Sequence, residues 1–181
     1  LKAAPATLTY TGVNDAGSGL KNVRLWMRKD NGAWGDTGLV QTASSGAFAF
    51  NAFAGDGVYR FALQAEDRAG GKTPAPSGGG AAAIIFDTQP PSVGALQAPP
   101  TEDNAPINVV YSGVADAGSG IDKVALWFAK DGGAWTDSGL WSAGASGVFG
   151  FTAVTGDGAY AFALRAADRA GNLSPVPSGA G

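Results

Sequence analysis

The residues best suited to chemistry are aspartates in two glycine-rich motifs, each of which occurs twice. Asp15 opens "DAGSG" and Asp67 opens "DRAGG", and the motifs return as "DAGSG" at Asp116 and "DRAGN" at Asp168. Carboxylates and backbone carbonyls are hard oxygen ligands, which suit Ca²⁺ and its coordination by about six to eight oxygens. The spacing is not that of an EF-hand loop, however. A second interpretation therefore stays open, in which these aspartates cap turns through Asx-type hydrogen bonds.

The composition leaves little room for catalysis. The chain has no histidine and no cysteine, which removes the commonest general base, thiolate chemistry and disulfide bonds. Its serines have no histidine to activate them, and no glycine-rich phosphate loop opens a helical pattern. Asp30 and Asp36 could flank Trp34 as glycosidase acids flank a sugar, but a hairpin gives no cleft. We predict that the chain is not an enzyme.

The net charge and the hydropathy of the chain limit which binding partners and which cellular location we expect. A net charge of -3 and a pI near 4.7 argue against nucleic acid and anionic membrane surfaces, because no basic tract is present. No stretch approaches the roughly 18 consecutive apolar residues of a membrane span, so we expect no membrane insertion. The chain opens "LKAAPATLTY" without an initiator Met or a signal peptide, and we expect a mature or excised piece. Its acidity suits a cation-rich extracellular or cell-surface setting.

An internal repeat organises the chain. Positions 5–80 align without a gap with positions 106–181, and more than half of the paired residues are identical. A period near 100 residues is too long for a solenoid unit and suits an independent β-sandwich. We predict two tandem domains, 1–88 and 89–181, joined by a short linker that Pro90 and Pro91 stiffen.

The hydrophobic pattern predicts an all-β protein. Glycine accounts for 29 residues, and aromatic residues fall in short alternating stretches rather than in helical patterns. In the strand predicted at 59–66, large apolar residues occupy alternate positions, and most of the residues between them change in the second copy. The unchanged residues Tyr59, Phe61 and Leu63 should therefore face the core.

Several motifs carry a family resemblance over essentially the full chain. "GDGxY" before an alternating strand resembles the tyrosine corner of immunoglobulin-like sandwiches, in which Tyr59 and Tyr160 would bond back to the preceding turn. Together with "DAGSG", "DRAGN" and the linker "FDTQPP", the repeat resembles the bacterial immunoglobulin-like or fibronectin type III-like repeats of large exported surface proteins. The resemblance implies two immunoglobulin-like β-sandwiches. The first copy departs from the second with Gly71 in place of Asn172.

The resemblance also implies where the acidic loops lie. In this fold the loop between strands B and C and the loop after strand F share the pole at which the chain enters. Asp116 and Asp168 would then lie close together, with Asp87 arriving from the linker. We predict a Ca²⁺ ion that stiffens the junction, and a matching half-site of Asp15 and Asp67 at the open N-terminal pole.

The two copies differ at their edges. The second has a predicted first strand near residues 92–98 that the first lacks, and the first has a predicted last strand near 82–87 that the second lacks. Because the last strand pairs with strand F in this fold, residues 160–167 would be left as an unpaired edge. Either the chain is an excerpt from a longer array, or a strand from an adjacent subunit completes each domain and builds a fibre.

Three tryptophans are candidates for surface contacts. Trp26 and Trp127 should point away from the core, where they either meet a sugar or partner or cover their own hairpins. Trp141 stands where the first copy has Val40, which makes it the candidate for a copy-specific contact.

These patterns favour a non-catalytic structural or adhesive module of an extracellular or cell-surface protein. It would act as a stiff spacer or as a fibre-forming subunit, with other repeats or other copies of itself as partners. A carbohydrate-binding module that contacts a cell-surface polysaccharide is the second interpretation. An accessory domain of a larger secreted enzyme is the third.

Overall fold

A computed structural model of the chain describes residues 1–102, 106–152 and 156–179. The chain divides into two compact units, Leu1–Thr88 and Gln89–Gly181. The secondary structure of the described residues consists of β-strands. No helix in these ranges is long and apolar enough to cross a membrane. The predicted all-β class is confirmed.

The first unit consists of two antiparallel sheets. Its strands are β1 (Ala6–Tyr10), β2 (Leu20–Lys29), β3 (Gly35–Gln41), β4 (Gly46–Phe50), β5 (Gly57–Asp67) and β6 (Ala82–Phe86). β1 pairs with β4 in a two-stranded sheet, and the other sheet has the strand order β3-β2-β5-β6. This arrangement of short antiparallel strands in two sheets is that of a sandwich.

The second unit repeats this plan with one strand exchanged. Its strands are β7 (Ala95–Gln97), β8 (Ile107–Ser112), β9 (Ile121–Lys130), β10 (Thr136–Ser142), β11 (Gly147–Phe151) and β12 (Tyr160–Asp168). One sheet has the order β11-β8-β7 and the other β10-β9-β12. β7 therefore borders β8 in this unit, whereas β6 borders β5 in the first unit.

Each unit has a hydrophobic core built by the alternation of side chains along its strands. On β5, Tyr59 and Phe61 are buried, whereas Arg60 and Ala62, which alternate with them, are partly exposed, as the sequence predicted. The buried core of the first unit contains Tyr10, Val23, Leu25, Phe48, Phe50, Tyr59 and Phe61. The buried core of the second unit contains Val109, Tyr111, Val114, Val124, Leu126, Phe149, Phe151, Leu164 and Ala166. Both sheets of each unit contribute to its core.

A tyrosine fixes the turn before the central strand in each unit. The Tyr59 hydroxyl donates to the Gly55 carbonyl at 2.8 Å and accepts the Ala54 N–H at 2.7 Å. The Tyr160 hydroxyl donates to the Gly156 carbonyl at 2.7 Å. The predicted tyrosine corner is confirmed, and both tyrosines belong to the scaffold.

Candidate functional site

Asp116 lies in the loop between β8 and β9, and backbone N–H groups of this loop donate hydrogen bonds to its carboxylate. One oxygen, Oδ2, accepts the backbone N–H of Gly118 at 3.1 Å and that of Gly120 at 2.7 Å. Gly120 has a φ of +81°, a left-handed conformation that glycine adopts without strain. The "DAGSG" motif is thus a compact turn with a carboxylate at its centre.

Asp168 ends β12 and is buried. Its Oδ1 accepts the Asn172 N–H at 2.8 Å, and its Oδ2 accepts the side-chain amide of Asn172 at 2.7 Å. The Asp168 N–H donates to the Asn172 carbonyl at 3.1 Å, which closes the "DRAGN" loop. Burial of a carboxylate costs free energy unless hydrogen bonds such as these compensate for its lost hydration.

The two motifs of the second unit meet. The Arg169 N–H donates to the Gly120 carbonyl at 2.9 Å, and the Ala170 N–H donates to the Ser119 hydroxyl at 3.1 Å. Carboxylate oxygens of Asp116 and Asp168 lie within 4.8 Å of each other. Two carboxylates at this distance repel one another and could share a hard cation.

The corresponding loops of the first unit have the same backbone framework. Asp15 Oδ2 accepts the N–H groups of Gly17 at 3.1 Å and Gly19 at 2.9 Å. Asp67 Oδ1 accepts the Gly71 N–H at 2.8 Å. Gly71 has no side-chain amide, so Asp67 lacks the second hydrogen bond that Asn172 gives to Asp168. The turn-capping role holds for all four motif aspartates, and it is compatible with metal binding because each carboxylate has further lone pairs.

Asp87 follows β6 and is buried, and its backbone N–H donates to the Leu1 carbonyl at 2.9 Å. The neighbouring Thr88 donates from its N–H and its hydroxyl to Asp56 Oδ1, both at 3.0 Å. Asp56 therefore holds the segment that follows β6. The part of Asp87 in a metal site stays a prediction from the sequence.

Asp30 secures the start of β5, a structural role that its sequence position alone did not indicate. Its Oδ1 accepts the Val58 N–H at 2.9 Å, and Asp131 does the same for Ala159 at 2.9 Å. Both aspartates have a φ of +52°, which is uncommon outside glycine. The sequence did contain one signal for this role, since both copies have an aspartate directly after a long strand.

The tryptophans differ in accessibility. Trp26 and Trp127 are half-buried, and their indole nitrogens are shielded from solvent. The Arg165 guanidinium lies 5.9 Å from the ring centroid of Trp127, next to a cavity of about 120 Å³ that Lys123 and Asp137 also line. Trp141 is 61% exposed, with the Lys123 ammonium 5.5 Å from its ring centroid. Of the three predicted contact residues, Trp141 presents the largest free ring surface.

The two-sheet antiparallel architecture, the sheet order and the tyrosine corner define an immunoglobulin-like sandwich. Residues 95–180 match the family model described as "Bacterial Ig-like domain", and this stretch is a bacterial immunoglobulin-like domain. A search of curated proteins gave no match. The family is consistent with a non-catalytic structural module, and its domains often occur in surface or exported proteins.

Proposed function

We propose that the chain is a non-catalytic structural module of an exported or cell-surface protein, in which two tandem immunoglobulin-like domains act as a stiff spacer or a fibre-forming subunit. The observation that supports this most directly is the presence of a separate hydrophobic core in each unit. The sequence repeat supports the same domain type for the first unit as for residues 95–180. The carboxylates of the loops serve backbone turns, as a scaffold requires.

Mechanical unfolding of single molecules tests this function. A load-bearing module should resist force cooperatively, because antiparallel strands in a closed core must separate together. We expect two unfolding events, each releasing about 300 Å of chain at roughly 3.3–3.6 Å per residue. Gradual extension without distinct events would contradict the proposal.

We further propose that Ca²⁺ binds to Asp116 and Asp168 in the second unit and stiffens the chain there. The short separation of their carboxylate oxygens supports this, since a divalent cation would remove their repulsion. The predicted third ligand is Asp87, the last acidic residue before the second unit.

Calorimetric titration of the metal-stripped chain with Ca²⁺ tests the metal site. We expect measurable heat and an increase in Tm for the chain, since a ligand that binds the folded state stabilises it. Both effects should be lost in Asp116→Asn and kept in Asp15→Asn, the matched change in the first unit. A wild-type chain that gives neither heat nor a Tm increase would exclude the site.

Carbohydrate binding is the second candidate function, favoured by the exposure of Trp141 beside Lys123. An exposed indole ring can stack on the apolar face of a sugar. Quenching of tryptophan fluorescence by polysaccharide in the chain, and its loss in Trp141→Val, would support this function over a purely structural one. The third interpretation, an accessory domain of a secreted enzyme, requires a catalytic domain elsewhere in the parent polypeptide.

A further inference from the structure

A cavity of about 120 Å³ lies in the second unit, on the face of the sheet β10-β9-β12 that is turned away from the core. Ala125 of β9, which lines this cavity, is opposite Trp141 of β10 and opposite Arg165 of β12. Directly opposite residues of antiparallel strands place their side chains on the same face. Because neighbouring strands lie about 4.7–4.9 Å apart, Trp141 and Arg165 flank Ala125 at a separation of roughly 10 Å.

The first unit fills the equivalent place with longer side chains. Arg24 stands at the position of Ala125, and Glu66 stands at that of Ala167, which also lines the cavity. The Arg24 guanidinium bonds to the Asp36 carboxylate at 3.2 Å, and Glu66 is paired with a lysine. Two alanines of the second unit therefore leave space where the first unit has two charged side chains with partners of their own.

The two cations of the cavity are not paired with acidic groups. Lys123 and Arg165 both line it, and the first unit has uncharged residues at these two positions. Among the residues that the structure describes, no ion pair joins either cation to a carboxylate. Their contacts are with aromatic rings, Lys123 with Trp141 at 5.5 Å and Arg165 with Trp127 at 5.9 Å. A cation–π contact uses no oxygen acceptor, so the N–H donors of both cations can bind an anion.

One of these donors is buried without an acceptor. In the ranges that the structure describes, the Arg165 Nε is shielded from solvent and has no hydrogen-bond partner. At the equivalent position of the first unit, the side-chain amide of Gln64 donates to the Thr73 carbonyl at 3.1 Å. A buried donor without an acceptor costs free energy, which an oxygen ligand in the cavity would recover. The planar guanidinium suits a carboxylate best, because two parallel hydrogen bonds can form between them.

The other groups around the cavity suit the remainder of a sugar. Trp141 is 61% exposed, and its flat ring can stack on the C–H face of a pyranose. Asp137 uses Oδ1 to accept the Gly139 N–H at 2.9 Å, and its Oδ2 has lone pairs for a sugar hydroxyl. The cavity is smaller than the roughly 300–1,000 Å³ of pockets that enclose a whole small molecule, so it can receive one substituent of a larger ligand.

We propose that this cavity binds the carboxylate of a uronic acid unit in an acidic polysaccharide, with the sugar ring on Trp141. Arg165 donates hydrogen bonds to the carboxylate, and Lys123 contributes the second positive charge. Asp137 accepts a hydroxyl of the sugar, and its own charge disfavours groups of higher negative charge such as phosphate. The site rests on the carbohydrate-binding function proposed for Trp141, and it adds the class of sugar.

Isothermal titration calorimetry of the whole chain tests this site with oligosaccharides of galacturonate, of mannuronate and of hyaluronan. A chelator in the buffer prevents divalent cations from bridging the carboxylates of sugar and protein. We expect at least one acid to bind, and its methyl ester to bind roughly tenfold more weakly or less, because the ester has the same rings without the charge. An oligoglutamate of the same charge, which has no pyranose ring, should also bind more weakly. Absence of binding by all three acids, or equal binding by acid and ester, would overturn the proposal.

Two substitutions that copy the first unit locate the bound carboxylate. Arg165→Gln removes the cation, and Ala125→Arg fills the cavity, while Gln64 and Arg24 show that the fold accommodates both residues. Arg165→Gln should reduce the affinity for the acid to that of the ester and leave the affinity for the ester unchanged. Ala125→Arg should weaken binding of the acid by roughly tenfold or more, because the space for the carboxylate is gone. Unchanged affinity in both variants would contradict the site.

Arg60→Gln is the matched control, since it removes one positive charge from the outer face of β5 in the first unit. This variant should bind the acid as the wild type does. A loss of affinity equal to that of Arg165→Gln would assign the binding to the net charge of the chain and overturn the proposal. In NMR spectra, saturation with the acid should shift the indole N–H signals of Trp127 and Trp141 and leave that of Trp26 in place.

Failure of the carboxylate site and failure of carbohydrate binding are distinguishable. Acid and ester that bind equally, and that both lose affinity in Trp141→Val, would retain the carbohydrate-binding function without the carboxylate site. Absence of binding by acids and esters alike would remove both. Two unfolding events under force would still support the structural function in either case.

Discussion

Tyr59 joins β5 to the turn that precedes it through two hydrogen bonds, and its ring lies in the core of the first unit. The Ala54 N–H and the Gly55 carbonyl depend on the hydroxyl for these contacts. The motif "GDGxY" was sufficient to predict the corner, because the hydrogen bond is local in sequence.

Tyr59→Phe should destabilise the first unit while leaving its packing in place. The ring remains buried, but two backbone groups lose their partner, which typically costs about 1–3 kcal/mol. Chemical denaturation measures the change in the free energy of unfolding. Val40→Ala, at an exposed position of β3, is the control and should alter it by less than about 0.5 kcal/mol. A loss no larger than that of the control would refute the structural role of the hydroxyl.

Glu66 gives the first unit a pH dependence that has no counterpart at the equivalent position of the second unit. Its Oε1 accepts a hydrogen bond from the Lys21 ammonium at 2.6 Å, and the Lys72 ammonium lies 3.9 Å from Oε2. The bond from Lys21 is the main cause that lowers the pKa of Glu66 below its usual 4.5, against the opposing effect of desolvation. Ala167 occupies the equivalent position of the second unit.

A lowered folded-state pKa means that the carboxylate stabilises the fold above the unfolded-state pKa and loses this effect as the pH falls through the lowered value. Glu66→Gln should therefore reduce the Tm of the first unit slightly at pH 7. The difference from the wild type should close as the pH falls below 4.5. Thermal unfolding over a pH series measures it, and a difference that persists at the lowest pH would contradict the assignment.

At the scale of the strands, the alternation of apolar residues and their repetition in both copies were sufficient to predict which side chains face the core. Residues such as Phe61 that stay apolar in both copies face the core, because a strand places alternate side chains on opposite faces. The prediction that Asp116 and Asp168 lie close together required an assumption about the fold, since these residues are far apart in sequence. The positive φ of Asp30 was not predictable. Asparagine and glycine are the residues that usually adopt this conformation in a tight turn, and both follow Asp30 in "DNG". The Arg165 guanidinium, on the neighbouring strand β12, lies 5.9 Å from the ring centroid of Trp127, and alternation along one strand does not reveal such a contact.

The junction of β7 and β8 depends on a glycine with no room for a side chain. Gly94 has a φ of +65°, and a Cβ atom there would overlap the Ser112 carbonyl and Gly113. Gly139 also has a positive φ, +76°, but a Cβ atom there would meet no atom within 4 Å.

Gly94→Ala should destabilise the second unit considerably more than Gly139→Ala does. Both changes incur the left-handed conformational penalty of about 1–2 kcal/mol, and only the first adds a clash with backbone. Denaturant unfolding of the two variants gives the comparison. Equal losses of stability would mean that the close approach of β7 to β8 does not restrain the unit.

At the scale of the whole molecule, the account depends on each unit having its own core. The buried residues of the first unit all lie before Thr88, and those of the second all lie after Gln89. A repeat of about 100 residues predicts this, because each copy contains enough apolar residues to form a core without the other. Structural modules of surface proteins need such autonomy, since the unfolding of one module must leave the next intact.

The most direct measurement is native-state hydrogen exchange on the paired variants Leu25→Ala and Leu126→Ala. These leucines occupy equivalent positions on β2 and β9 and are 1% and 0% exposed. Each truncation should destabilise its own unit by about 2–5 kcal/mol. We predict that Leu25→Ala accelerates exchange only in β1–β6 and that Leu126→Ala accelerates it only in β7–β12. Acceleration across both units by either variant would show one cooperative core and contradict the account.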